Sequence, residues 1–241
     1  MTTTESFIAH LIELRTRLLH SAVALLLVFI ALFPWAANLY TWLAHPLLAK
    51  LPKGAQMIAT DVTTPFFVPL KVAMMAAFLI ALPYILYQLW RFVAPGLYAH
   101  EKKLVWPLIL ASTVLFFCGM AFAYFIVFPV VFGFITASAP QGVAVMTDID
   151  KYLSFVLGMF MAFGITFQVP VAVVVLVRMG LVSVEKLRDI RRYVIVASFV
   201  VGAIFTPPDV VSQFMLAMPL WLLYEAGIVV ASWMKPATSV A

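Results

Sequence analysis

The sequence contains few of the residues from which soluble proteins build their surfaces and active sites. Only 10% of its 241 residues are charged, and it has four histidines and one cysteine. A single cysteine excludes a disulfide framework or a thiolate metal cluster within one chain. The HExxH, GxSxG and P-loop motifs are absent, as is any cluster of histidines with acids. We therefore expect no enzymatic activity, no cofactor and no metal.

Apolar residues make up 65% of the sequence, and the mean hydropathy is +1.10, both typical of integral membrane proteins. Because a span needs about 20 apolar residues, the chain has room for about six helices and short loops. We predict an all-α integral membrane protein with a single membrane domain at 1–241. The net charge of +5 does not predict a nucleic-acid partner, because the bases lie in loops between spans, where topology and contacts with membrane lipid explain them.

The apolar pattern predicts an amphipathic N-terminal helix at about 4–18, followed by six transmembrane helices. The spans are placed at about 21–43, 69–92, 104–135, 152–177, 193–205 and 210–233. The fifth helix is short, because 13 residues rise about 20 Å against a hydrocarbon core of about 30 Å. The first apolar run is longer than the core of a signal peptide, so we expect it to remain in the protein.

Basic residues are concentrated on one side of the six predicted crossings. That side carries Arg15, Arg17, Arg91, Lys102, Lys103, Arg178, Lys186, Arg188, Arg191, Arg192 and Lys235. The other side carries Lys50, Lys53, Lys71 and Lys151. Since basic loops stay in the cytoplasm, both termini are predicted to be cytoplasmic.

Two acids, Glu13 and Glu101, lie on this basic face. Glu101 falls in the stretch 83–103, which resembles a docking platform at a membrane surface. Glu13 is spaced to form an i,i+4 pair with Arg17, worth about 0.2 to 0.5 kcal/mol, or to receive a basic ligand. A guanidinium binds a carboxylate through two parallel hydrogen bonds that lysine cannot reproduce. The two acids thus suggest a site for a peptide with adjacent arginines.

Other polar residues lie within or beside the apolar runs. Gln168, just before Pro170, is predicted near mid-membrane, where it makes an interhelical hydrogen bond or a functional contact. Glu225 falls within the sixth span, where a charged acid costs about 2.5 to 3.5 kcal/mol unless it is protonated or turned inward. Asp148 and Asp150 lack further metal-binding neighbours and are interpreted as solvated loop acids.

Six segments give the chain a resemblance to a known family. They are HLIELRTRL at 10–18, ATDVTTPFF at 59–67, QLWRFVAPGLYAHEKK at 88–103, FCGMAFAYFIVFP at 117–129, MAFGITFQVPV at 161–171 and VVGAIFTPPDVVSQ at 200–213. Together they resemble the TatC family, the multispanning receptor of the twin-arginine translocase. The resemblance implies a concave, glove-shaped bundle and a receptor without enzymatic activity in the bacterial cytoplasmic (inner) membrane.

The resemblance also implies partners and a site. The partners are twin-arginine signal peptides of folded proteins, single-span TatA-type and TatB-type proteins, and further copies of the chain through self-association, with transport driven by the proton-motive force. The implied signal-peptide site comprises Glu13, Arg15, Arg17, Phe92, Leu97 and Glu101.

Pro46 and Asp209 match family positions in two periplasmic turns, where they are expected to set loop geometry. Gln168 stands where relatives typically carry a glutamate, and is interpreted as a polar contact to a partner helix. Glu225 is assigned a structural or transport-related role.

Two other functions are compatible with a helical membrane protein. A secondary transporter of a small solute would predict an internal repeat and several intramembrane charges, but only Glu225 and Gln168 are evident. An intramembrane hydrolase would need a nucleophile and a base, and no convincing pair is visible.

Overall fold

The computed structural model describes residues 3–48, 58–93, 105–137, 148–205 and 210–233. These residues are helical except for short connections and one isolated parallel bridge between Ile58 and Asp148. The helices are α1 (Thr3–Leu32), α2 (Ala36–Leu48), α3 (Thr64–Val93), α4 (Val105–Phe122), α5 (Phe128–Ala137), α6 (Ile149–Thr166), α7 (Val169–Arg178), α8 (Val184–Asp189), α9 (Arg191–Phe205) and α10 (Val210–Trp233). The all-α prediction is confirmed.

The chain divides into two compact units. One comprises Met1–Pro95 with Ala144–Phe155, and the other comprises Gly96–Val143 with Val156–Ala241. In the first unit α1 and α2 pack on α3. In the second, α10 packs on α7 and α9, and the buried side chains of Val173, Leu187, Tyr224, Ile228 and Ala231 form a core cluster.

The N-terminal helix differs from its predicted bounds. Residues 4–18 do not form a separate helix, because α1 continues unbroken from Thr3 to Leu32. No glycine or proline interrupts this stretch, so nothing in the local sequence ends the helix before Pro34, where a 3₁₀ turn (Phe33–Trp35) separates α1 from α2. The amphipathic segment is therefore the first part of the first long helix.

Prolines also explain the interruptions in two later helices. A π-helical turn at Ala123–Val127, in which the Phe128 amide donates to the Ala123 carbonyl, precedes Pro129. Such a turn accommodates the missing amide hydrogen and the bulk of the proline ring. Similarly, α6 ends at Thr166 and α7 begins at Val169, immediately before Pro170. The predicted fourth span is thus two helices.

Within the described ranges, five helical segments are long and apolar enough to cross a membrane. They are Ile8–Leu43, Thr64–Val93, Trp106–Gly133, Ile149–Arg178 and Gln213–Trp233. The predicted fifth span corresponds to α9, which has 15 residues and rises about 22 Å. The prediction of a short fifth helix is confirmed.

Pro46 requires a correction. It was predicted in a turn, but it lies within α2, which extends to Leu48. A proline removes one backbone hydrogen bond without always ending a helix, and α3 likewise contains Pro69 and Pro83.

Candidate functional site

A chain of polar side chains connects α1 to α3 in the first unit. Arg17 Nη2 donates to Glu13 Oε1 at 3.1 Å, and Arg17 Nη1 donates to Gln88 Oε1 at 3.2 Å. Gln88 Nε2 in turn donates to the Tyr84 hydroxyl at 2.7 Å. We call Glu13, Arg17, Gln88 and Tyr84 the Glu13 network. The i,i+4 spacing places Glu13 and Arg17 on one face of α1 and Tyr84 and Gln88 on one face of α3, and the Arg17–Gln88 hydrogen bond joins these two faces.

The Glu13 network is buried at one end and open at the other. Gln88 is 5% exposed, whereas the side chains of Arg17 and Glu13 are 20% and 34% exposed. Arg17 Nε is buried and has no hydrogen-bond partner among the described residues. A partly solvated i,i+4 ion pair contributes only about 0.3 to 0.5 kcal/mol, so the arrangement presents a carboxylate at the surface more than it stabilises the fold.

Aromatic and basic side chains extend this surface. The rings of His10 and Phe92 stack with centroids 4.3 Å apart and planes inclined by 20°. Near the end of α3, Arg91 Nη1 donates to the Tyr87 hydroxyl at 2.9 Å. Arg15 is exposed on α1. Around the Glu13 network, the described residues therefore include an aromatic stack and the cation Arg91, whereas Arg15, two positions from Glu13, lies on another face of α1.

Glu225 forms a short ion pair that connects α10 to α9. Arg191 Nη2 donates to Glu225 Oε2 at 2.7 Å, and the Glu225 side chain is 24% exposed. Beside them, the Tyr224 hydroxyl donates to the Leu187 carbonyl at 2.8 Å. The acid is therefore not isolated in an apolar span, because a guanidinium supplies its counter-ion. Sequence reasoning did not anticipate this pair, whose members are 34 residues apart.

Gln168 makes the interhelical hydrogen bond that the sequence suggested. Its Nε2 donates to the Ser112 carbonyl at 2.9 Å, which connects the break before α7 to α4. Its Oε1 is buried and has no hydrogen-bond partner in the described part of the chain. Gln213, not singled out from the sequence, similarly connects α10 to α9 by donating from Nε2 to the Phe199 carbonyl at 2.9 Å.

Asp148 caps α6 and also connects the segment 58–60 to it. Its carboxylate accepts from the amides of Asp150 and Lys151 at 2.9 and 3.0 Å, and from the amide and hydroxyl of Thr60. The Ile149 amide donates to the Ile58 carbonyl at 3.0 Å. These hydrogen bonds, led by the Thr60 hydroxyl, lower the pKa of Asp148 from 3.8 to about 2.

Asp150 is similarly engaged, because Lys71 Nζ lies 2.5 Å from its Oδ1 and 3.2 Å from the Ser154 hydroxyl. The two acids make exposed contacts, as expected of solvated acids, but Asp150 lies in the first turn of α6 rather than in a loop, and residues distant in sequence supply partners to both acids. Within the described ranges, no group of three or more histidines, cysteines or acids could hold a metal ion.

Comparisons with known proteins identify the family. Residues 9–219 match the family described as Sec-independent protein translocase protein (TatC). The chain belongs to the TatC family.

Its relatives in this family match it over nearly its whole length. It is 50% identical over 232 residues to the TatC protein of Haemophilus influenzae, covering 96% of this chain and 91% of the relative. It is 52% identical over 225 residues to the TatC protein of Escherichia coli K12, covering 93% and 87%. A crystal structure described as the twin arginine translocase receptor TatC superposes with a TM-score of 0.82 at 42% identity, covering 93% of this chain and 98% of that one. Membership in a translocase family contradicts the solute-transporter alternative.

The structure brings together part of the site implied by the TatC resemblance. Glu13 and Arg17 form the open end of the Glu13 network, and Phe92 stacks on His10 of α1. Leu97 and Glu101 lie outside the described residues, as does Asp209; Pro46 lies where only the backbone is described.

Sequence reasoning missed Gln88, Tyr84 and His10 as members of this surface. The sequence did contain a signal for Gln88, because a side-chain amide buried in an apolar helix such as α3 needs a hydrogen-bond partner. Which residue of α1 would supply that partner was not evident from the sequence.

Proposed function

We propose that this chain is the receptor subunit of a twin-arginine translocase, binding the twin-arginine signal peptides of folded proteins. The observation that carries the proposal is the Glu13 network, which presents a partly exposed carboxylate one helical turn from His10, a member of an aromatic stack, in a chain of the TatC family. Solved relatives described as twin arginine translocase receptors support it.

The chemistry of the surface fits a peptide that carries adjacent arginines. A guanidinium prefers a carboxylate acceptor and also stacks on aromatic rings, and Glu13 lies on the surface that also carries the His10–Phe92 stack. In this proposal, Glu101 supplies a second acid and Leu97 an apolar contact. Arg15 completes the site, and Arg17 belongs to it as the internal partner of Glu13. No step requires a catalytic residue or cofactor, and the proposed role is not enzymatic.

The proposed location is the bacterial inner membrane, with both termini in the cytoplasm. The unequal distribution of lysine and arginine supports this orientation, because the basic residues at the start of α1 and in the segments 91–103 and 178–192 are then all cytoplasmic. Labelling of single cysteines introduced at Thr4 and Thr60, in a chain with Cys118 replaced by alanine, tests it. We expect a membrane-impermeant reagent added to intact cells to label the second position and not the first; the reverse pattern would refute the orientation.

The proposed partners are single-span TatA-type and TatB-type helices, with self-association of the receptor in the working complex. An open apolar groove of about 790 Å³ on the second unit supports a helical partner. It is lined by Phe122, Val210, Phe214, Met215, Met218, Pro219, Leu222, Leu223 and Ala226. Gln168 is proposed as a polar contact to such a helix, because its buried Oε1 has no partner within the described chain.

Glu225 is proposed to act after signal binding, during transport driven by the proton-motive force. Its pairing with Arg191 supports a role in holding α9 against α10. We expect Glu225→Gln to bind signal peptide normally and to transport less of a twin-arginine substrate into inverted vesicles. Transport by Glu225→Gln at the wild-type level would contradict the proposed role of Glu225 in transport.

The test of the receptor function is peptide binding by the purified protein in detergent. An Arg-Arg signal peptide and its Lys-Lys version are compared on the wild type, Glu13→Ala and Glu101→Ala. Loss of one charge-assisted contact, about 1.5 to 3 kcal/mol, should weaken Arg-Arg binding by roughly 10-fold to 150-fold.

Asp189→Ala is the matched control, because Asp189 is an exposed acid on α8, in the basic segment at 178–192. It should bind as the wild type does. If the wild type shows no preference for Arg-Arg and neither Glu13 nor Glu101 is needed, the surface is only a basic membrane face and the proposal is wrong.

A further inference from the structure

The proposed acceptor Glu13 is already bound by a guanidinium of its own chain. Arg17 Nη2 donates to Glu13 Oε1 at 3.1 Å, one helical turn away on α1. A peptide arginine that approaches this oxygen therefore meets Arg17 there first. The hydrogen-bond acceptor Glu13 is therefore already bound by Arg17 before any peptide arrives.

The contact between Glu13 and Arg17 has the geometry of an exchangeable pair. It is a single hydrogen bond rather than a two-pronged one, and its 3.1 Å length exceeds the roughly 2.7 to 2.9 Å typical of charge-assisted hydrogen bonds. Both side chains are partly exposed, so water weakens their attraction. An incoming arginine that engages both carboxylate oxygens makes one more hydrogen bond than Arg17 does.

Gln88 provides Arg17 with a second partner. Gln88 Oε1 accepts from Arg17 Nη1 at 3.2 Å, while its Nε2 is held by the Tyr84 hydroxyl at 2.7 Å. Because Gln88 is buried at 5% exposure, its amide stays in place when the surface rearranges. When Arg17 leaves Glu13, its guanidinium therefore keeps one hydrogen bond.

We propose that Arg17 is an internal competitor for Glu13 and that Gln88 sets how strongly it competes, so that the Glu13 network tunes the affinity of the peptide site. This inference rests on the proposed receptor function. A ligand binds only the fraction of molecules in which Glu13 is open, and its apparent Kd rises by the reciprocal of that fraction. The fraction of molecules in which Glu13 is open is the same for every cationic peptide that binds Glu13. The ratio of the Arg-Arg and Lys-Lys affinities is therefore unaffected.

The experiment measures both peptides on variants of Arg17 and Gln88 in the same detergent assay. Arg17→Gln removes the competing charge and should tighten both peptides by about two- to fivefold, the range set by the strength of partly exposed pairs. The affinity ratio of the two peptides should stay constant. Weaker or unchanged binding by Arg17→Gln would overturn the inference, because Arg17 would then contact the peptide or position Glu13.

Gln88 variants give a second, independent test. Gln88→Glu offers Arg17 a charged partner away from Glu13 and should tighten peptide binding. In Gln88→Leu the guanidinium is no longer shared between two acceptors and can close fully on Glu13, so peptide binding should weaken. In the Arg17→Gln background, Gln88→Leu should have no effect, because the competitor is gone. An equal loss with and without Arg17 would show that Gln88 only supports the fold, and would overturn the inference. If Arg17→Gln does not fold, Gln88→Glu alone decides.

Glu13→Gln separates this inference from the receptor function. If the wild type does not bind the Arg-Arg peptide, or Glu13→Gln binds it equally well, the proposed use of Glu13 fails and the inference fails with it. If Glu13 is needed but Arg17→Gln does not tighten binding, the receptor function stands and only the inference is overturned.

Discussion

Gly119 is the position at which adding one methyl group should disturb the helix packing most clearly. A Cβ built there would lie 2.5 Å from the Phe163 carbonyl oxygen and 2.9 Å from its carbon, both backbone atoms of α6. Ordinary contact needs at least about 3.4 Å, so α4 and α6 would have to separate locally by roughly 1 Å. Backbone atoms cannot rotate away as a side chain can.

The magnitude follows from two opposing effects. Overpacking costs about 1 to 3 kcal/mol, while replacing glycine by alanine in a helix contributes about 0.5 to 1 kcal/mol of stability. Because the clash is with backbone, we expect Gly119→Ala to be destabilised by about 1 to 2 kcal/mol. For a chain of this length that corresponds to a Tm lower by roughly 2 to 8 °C.

The assay is thermal unfolding of the purified protein in one detergent at a fixed scan rate. Gly158→Ala is the matched control, since Gly158 lies in helix α6 and nothing among the described residues comes within 4 Å of its added Cβ. The control should keep or raise the wild-type Tm. A Gly119→Ala protein as stable as Gly158→Ala would refute the argument that α4 and α6 meet at this glycine.

The remaining predictions concern the polar contacts. The Asp148 pKa is lowered in the folded state, so its contribution to stability is present above about pH 4 and is lost as the pH falls towards about 2. Asp148→Asn should therefore speed hydrogen exchange of the Thr60 amide at neutral pH. The difference in exchange rate between the variant and the wild type should shrink as the pH falls from about 4 to about 2. Equal exchange rates at pH 7 would contradict the role of Asp148 in holding Thr60. Gln168→Leu loses the hydrogen bond to the Ser112 carbonyl and should weaken crosslinking to a TatB-type helix. Unchanged crosslinking would contradict the proposed partner contact, and Gln168 would then make only the internal hydrogen bond, worth about 0.6 kcal/mol.

The membrane class, the helical architecture and the family could be predicted from local sequence, whereas several helix boundaries, such as that at residue 18, could not. Long apolar runs have few alternatives to helices in a bilayer, because every backbone polar group must be paired internally. Pro34, Pro129 and Pro170 each coincide with an interruption, since the missing amide hydrogen and the ring act locally. Even the short α9 follows from the distance between Arg192 and Pro207 in the sequence.

The partners of the polar side chains were decided by tertiary structure. Arg17 meets Gln88 across 71 residues, Thr60 meets Asp148 across 88, and Arg191 meets Glu225 across 34. Periodicity predicts which face of a helix is apolar, but it does not predict which helix covers that face or at what height. The i,i+4 pair of Glu13 and Arg17 was predictable because both members lie on one helix. Only the packing of α1 on α3 gives Arg17 its second partner, because the partner of a buried amide depends on which helices become neighbours.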